Sequence, residues 1–294
     1  MSTEPRRLHH PGPASEPRVE LVAGRGEVFT LRLPAGATLL DAIAQGLGAR
    51  GIESAALSFR GLRLDPLVYY LPAVIDAPYL RFGYSDGQQP PGGGNLDLAF
   101  ASFGRRDGAP FVHCHAVWRE ADGREHGGHV VPPESVLAQD VEARVAVMPG
   151  AALVSEHDGE TDYQLFHPVR IGPEGAGAVG PRMAFARIKP NEDLTLAVEA
   201  ACHQAGFRSA TVRGLGSLIG ARFTDGTALH DQGSEILVTA GRVAPGEDGA
   251  PRADIDICFS GFSGLASRGR LVRGDNPVCI TFELSIEERP DPVP

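Results

Sequence analysis

The chain has 294 residues, with 42% hydrophobic and 22% charged side chains, enough apolar material for one large or two ordinary globular domains. A formal net charge of −10 argues against a surface built to track nucleic-acid phosphates or an anionic membrane. Cys114, Cys202, Cys258 and Cys279 form no C-x-x-C pair and read as isolated small apolar residues of a reducing compartment. With no apolar leader region and no bilayer-length apolar run, the expected location is the cytoplasm.

Residues 1–17, rich in charge and proline and including His9 and His10, read as a flexible tail. Beyond it the chain repeats itself. Arg32, Leu39, Ala42, Gly51, Ser54, Ala55 and Gly61 recur, 155 positions on, as Arg187, Leu194, Ala197, Gly206, Ser209, Ala210 and Gly216. Each stretch predicts a strand, a turn, a helix starting near Leu39 or Leu194, a glycine stop suited to a left-handed cap, and a second strand. Gly108-Ala109-Pro110, Gly123, Gly128, Val131 and Glu142 recur at an offset of 141, as Gly249-Ala250-Pro251, Gly264, Gly269, Val272 and Glu283. The first copy therefore carries about 14 extra residues between the blocks, where the loop Gln88–Gly94 lies. The break between copies falls in Gly172–Gly177, giving domains at 18–172 and 181–290. One helix among five or six strands joined by short turns predicts an α+β fold: two tandem copies of a small domain with a mostly antiparallel sheet.

Phe111–Trp118 reads as a strand, so His113 and His115 share one face, their Cα atoms roughly 6.5–7 Å apart, and Cys114 takes the other. A three-residue loop Ala121-Asp122-Gly123 with Gly123 left-handed sets His115 opposite His129. A two-residue Asp122-Gly123 turn would instead put His129 on the wrong face unless Gly127-Gly128 bulged. The glycine pair leaves room for close approach by a ligand or another backbone. Three imidazoles converging in this way suit zinc with an open fourth position, and also iron, nickel or copper. At the corresponding positions the second copy has Asp254, Asp256 and Arg270, with Phe262-Ser263-Gly264 as the loop. An Asp256–Arg270 ion pair is expected there in place of a metal, unless Arg270 with Arg268 or Arg273 recognises an anion.

These residues resemble a known family. His113-x-His115, a glycine turn and Gly127-Gly128-His129 look like the plants-and-prokaryotes conserved domain, as do the opening Leu31–Gly61 and the closing segment Glu156–Leu165. The resemblance covers residues 18–172 and, more loosely, 181–290. It implies an antiparallel α/β domain that assembles as a trimer, with zinc or a similar metal on the three histidines. In plants the domain accompanies AT-hooks; here Arg268-Gly269-Arg270 is followed by Leu271, not proline. The expected function is a metal-dependent enzyme (hydrolase, lyase or isomerase) acting on a small anionic metabolite. Glu27, Asp122 and His157 are candidate acid/base groups, and Arg25, Arg60 and Arg63 candidate anion binders. The alternative is a non-enzymatic regulatory or DNA-associated protein with a structural metal.

Overall fold

A computed structural model describes residues 6–75, 81–120, 123–172 and 180–289. The first half runs β1 (Val19–Arg25), β2 (Glu27–Leu33), α1 (Leu39–Gly48), β3 (Ala55–Leu64), β4 (Tyr69–Tyr70), β5 (Pro72–Ile75), β6 (Arg81–Tyr84), β7 (Gly94–Arg106), β8 (Ala109–Arg119), β9 (Glu125–Val130), β10 (Val141–Val147), β11 (Ala151–Asp158) and β12 (Tyr163–Arg170). The second runs β13 (Arg182–Ile188), α2 (Leu194–Ala205), β14 (Ala210–Leu218), β15 (Ala221–Arg222), β16 (Ala228–Leu229), β17 (Glu235–Pro245), β18 (Pro251–Ser260), β19 (Ala266–Arg270) and β20 (Val278–Glu288).

The two main sheets have the same strand order. One reads β2-β10-β3-β7-β8-β9, and the other β13-β20-β14-β17-β18-β19. Strand by strand these are the repeat units of the sequence, so the fold is two copies of a mostly antiparallel domain with one helix each. The copies also exchange elements. β1, which precedes the first copy's opening strand, pairs along β13 from Val19↔Ile188 to Arg25↔Arg182 and extends the second sheet. Residues 6–17, expected to be a flexible tail, are docked along the chain instead. Asn191 brackets Leu8 through both backbone groups, at 2.8 and 3.0 Å, Gly12 N–H donates to the Glu160 carbonyl at 3.0 Å, and His10 is buried.

Each helix buries its apolar stripe on its own sheet. Leu39, Ala42, Ile43 and Leu47 of α1 join Leu57, Phe59 and Trp118; Leu194, Ala197, Val198 and Ala201 of α2 join Ile236, Ile257 and Phe282. Thr38 and Asp193 cap the helix starts by accepting from Asp41 N–H and Leu196 N–H. Gly206 is the expected left-handed cap of α2, with φ of 69°. Its counterpart Gly51 has the same φ of 69° but lies in the turn beyond α1, which closes earlier on Ala49 in right-handed geometry. The sheet faces turned away from the helices meet each other: Val22, Phe100, Val117, Met148, Phe166, Phe185, Leu215, Leu237 and Cys258 form a third core between the copies. All four cysteines are free and buried. Among the described residues no helix is long and apolar enough to cross a membrane.

A buried charge network ties β1, β12 and β13 together. Arg187, fully buried, donates to Asp158 at 2.8 Å and to the Thr281 hydroxyl at 3.1 Å, and lies 3.6 Å from Glu20. Lys189 and His167 reach Glu20 at 3.1 and 2.9 Å. Burial alone would raise the carboxyl pKa values, but the cations outweigh it. Arg187 and Thr161 pull Asp158 down from 3.8 to about 2, and His167, Arg187 and Lys189 pull Glu20 from 4.5 to about 2. Because both folded-state values are depressed, their stabilisation is present above the unfolded carboxylate range and is lost as pH falls from about 4.5 to about 2. Chemical denaturation at stepped pH should show stability dropping across that window, and Asp158→Asn should flatten the drop.

Candidate metal centre

On β8 the side chains alternate. Val112, Cys114, Ala116 and Trp118 enter the core beneath α1, which leaves His113 and His115 on the face turned to the second copy. The hairpin to β9 has the register the three-residue loop implies, with His115 directly opposite His129. Glu120 N–H donates to the Arg124 carbonyl at 3.1 Å and Gly123 has φ of 81°; Ala121 and Asp122 lie outside the described residues. The glycine pair before His129 gives room to backbone and to the other copy. A Cβ on Gly128 would stand 2.9 Å from the Tyr70 carbonyl oxygen, and one on Gly127 2.5 Å from the Ser260 hydroxyl.

The three imidazoles converge, with one potential ligand nitrogen from each lying within 4.8 Å of the others. His113 Nε2 and His115 Nε2 are 3.1 Å apart. The opposite edges of both rings are engaged: His113 Nδ1 lies 2.7 Å from Glu283 Oε1, and His115 Nδ1 2.9 Å from the Ile236 carbonyl oxygen. A carbonyl only accepts, so His115 Nδ1 carries a proton, and in the neutral ring its Nε2 presents a lone pair. His113, donating from Nδ1 to Glu283, does the same. Two lone pairs at that separation need a proton or a cation between them. Glu235 Oε2 adds a third such donor, 2.6 Å from His115 Nε2 and 3.8 Å from His129 Nδ1. Three imidazoles, two of them with their far edges held, beside one carboxylate, fit a divalent metal.

Both acids come from the second copy, Glu235 at the start of β17 and Glu283 in β20, and both are buried. Burial would raise Glu283, but the neighbouring His113 outweighs it and holds the carboxyl below its ordinary value. Burial would lower His115, but Glu235 raises it. His129 is lowered, by burial first and then by His113 and His115. Its Nδ1 also meets the Tyr84 hydroxyl at 3.1 Å.

The cluster opens into a cavity of about 420 Å³ between the copies, walled largely by Tyr70, Phe82, Tyr84, Phe111 and Phe166, with Arg106 on its lining. Phe82 and Tyr84 lie in β6, between the two repeat blocks and upstream of the Gln88–Gly94 loop that the sequence marked as the insertion.

The other candidates lie elsewhere. None of Glu27, His157, Arg25, Arg60 and Arg63 lines the cavity. Glu27 opens β2 opposite Val147, and His157 is exposed and meets Asp162 at 3.0 Å. Arg25 donates to the Gly180 carbonyl, and Arg63 to Asn95 and the Gly92 carbonyl. Arg60 is exposed on β3, and Asp122 falls outside the described residues. In the second copy Asp256 stands opposite Arg270 and pairs with it at 2.8 and 3.1 Å. Arg268 forks onto Glu125 and Arg273 onto Glu199, so all three arginines considered for anion recognition are held by carboxylates.

Residues 176–290 match the family model of the Plants and Prokaryotes Conserved domain. Among solved structures, a metal-containing protein from Archaeoglobus fulgidus is similar at 23% identity over 50% of this chain and 96% of its own, with a TM-score of 0.42. A plant- and prokaryote-conserved protein from Pyrococcus horikoshii is similar at 20% identity over 51% of this chain and 96% of its own, with a TM-score of 0.37. No curated protein matches the chain.

Proposed function

We propose that this chain, whose residues 176–290 match the Plants and Prokaryotes Conserved domain model, binds one divalent metal ion in its first copy, zinc by the chemistry of its donors, through His113, His115 and His129. The observation that carries the reading is the convergence of three imidazole nitrogens within 4.8 Å, two of the rings being held from behind by Glu283 and the Ile236 carbonyl. Zinc so bound supplies a Lewis acid and an acidified water at neutral pH.

The surroundings support a metal-dependent enzyme for a small anionic metabolite, by hydrolysis, hydration/dehydration or isomerisation. The cavity is large enough for a small molecule and its lining is mostly apolar. Glu235, buried beside the imidazoles, is placed to hold or accept a proton at Oε2, and the Tyr84 hydroxyl to donate one. Glu283 fixes the orientation of His113 and touches no part of the open cavity edge of the ring. The arginines at Arg268, Arg270 and Arg273 are engaged by acids, which leaves the DNA-associated alternative without a basic surface there.

Metal analysis tests the reading. The purified protein should carry about one equivalent per chain, and a folded His113→Ala/His115→Ala variant should carry none. Equal metal in both would contradict it.

A further inference from the structure

The cavity wall contains a cation with no carboxylate at ion-pair distance among the described residues. Arg106, at the end of β7, is half-buried, and its guanidinium carbon sits 3.5 Å from the centroid of the Phe111 ring. Its Nε donates to the Ser155 hydroxyl at 3.0 Å, and Nη2 has a long contact of 3.5 Å to the Gln164 carbonyl. Among the described residues no carboxylate lies within ion-pair distance of it. Arg18, Arg144, Arg187 and Arg213 each have one, whereas half-buried Arg222 is held by backbone carbonyls. Burial accordingly pulls its pKa down, with Asp107, Tyr84 and Glu283 acting only at a distance. A guanidinium stays charged even so. Stacked on one face and held at Nε, the guanidinium stands on the lining of the cavity.

We propose that Arg106 is the anion anchor of this cavity and takes the carboxylate of a small acid whose apolar or aromatic body lies against Phe82, Phe111 and Phe166. One guanidinium matches one negative charge. A doubly charged phosphate would bring a second, uncompensated charge into a cavity already lined by Glu235 and Glu283. The proposal deepens the metal-site reading. It rests on that reading for what meets the acid's other end at the histidines, but the anchoring itself needs no metal.

The test uses chelator-treated, metal-free full-length protein, with 3-phenylpropionate, its neutral amide and phenyl phosphate as probes, read by calorimetry or ligand-observed NMR. The acid should bind saturably and the amide about tenfold or more weakly, as expected for loss of a charge-assisted bond. Arg106→Met, which keeps the contact with Phe111, should bind acid and amide alike, with its circular dichroism unchanged. Arg106→Lys should recover part of the preference for the acid. Four results would overturn the assignment: no saturable binding of the acid to the wild type, an acid preference that survives Arg106→Met, tighter binding of phenyl phosphate than of the acid, or acid binding that appears only with zinc and disappears in His113→Ala/His115→Ala. Metal content measured on the protein as purified, before chelation, separates the two readings. A purified protein that holds no metal, and whose chelated form still binds the acid through Arg106, defeats the metal centre and leaves the anchor standing.

Discussion

Arg187→Met is expected to lower stability by about 3–5 kcal/mol, the cost of breaking a buried ion pair by removing one partner. The guanidinium is fully buried and sits against Asp158 and the Thr281 hydroxyl, with Glu20 and His167 beside it. Methionine fills similar space but leaves the depressed carboxylate of Asp158 in a dry interior, with Glu20 held only by Lys189 and His167. The chain supplies its own control. The repeat-equivalent Arg32 also pairs with an aspartate, Asp140 at 2.6 Å, but 75% of its side-chain surface is exposed. Solvent screens that pair, and Arg32→Met should leave the urea midpoint close to that of the wild type. Urea melts of the two variants, compared by midpoint at constant slope, check the contrast. Similar losses would show that burial is not what separates the two sites. Asp158→Asn in the Arg187→Met background should recover part of the loss, because it removes the stranded charge.

The second large effect is expected at Glu235. Glu235→Gln preserves shape but removes the negative charge 2.6 Å from His115 Nε2. If the carboxylate belongs to the metal centre, zinc affinity measured by chelator competition should fall about 10–100-fold, the range found for groups that support metal ligands. Unchanged or tighter binding would mean that Glu235 competes with the ion for the imidazoles instead of assisting it. Glu283→Gln separates charge from orientation. It retains a carbonyl oxygen to accept from His113 Nδ1, so a loss there reports charge alone.

How much of this site can be read from sequence depends on how local its geometry is. A strand's period of two puts His113 and His115 on one face, and a three-residue turn sets His129 opposite His115; both are short-range consequences of backbone geometry. The Asp256–Arg270 pair follows from the same turn repeated in the second copy. Glu235 and Glu283 are different. They reach the histidines only because the two sheets pack face to face, and no local spacing encodes that contact. Glu283 was visible as a recurring glutamate, the counterpart of Glu142, but repetition alone assigned it no role. Glu235 was hidden further, since its first-copy counterpart is Gly94. Arg106 lacked a motif altogether, and its isolation from carboxylates becomes visible only in three dimensions. Glu27, His157, Arg25, Arg60 and Arg63, chosen without a register argument, do not line the cavity. Tail composition also misled. Proline and charge in residues 6–17 did not prevent docking, because Asn191 and Glu160 offer that backbone hydrogen-bond partners.

The central claim is that the chain has one metal centre, built on the first copy and completed by acids from the second. The direct measurement is an anomalous difference map, recorded at the zinc edge from crystals of zinc-loaded protein. It should show a peak among His113, His115 and His129, at about 2.0–2.1 Å from a nitrogen of each, and none beside Asp256 and Arg270. A zinc peak at the second-copy position, or none among the three histidines, would contradict the account.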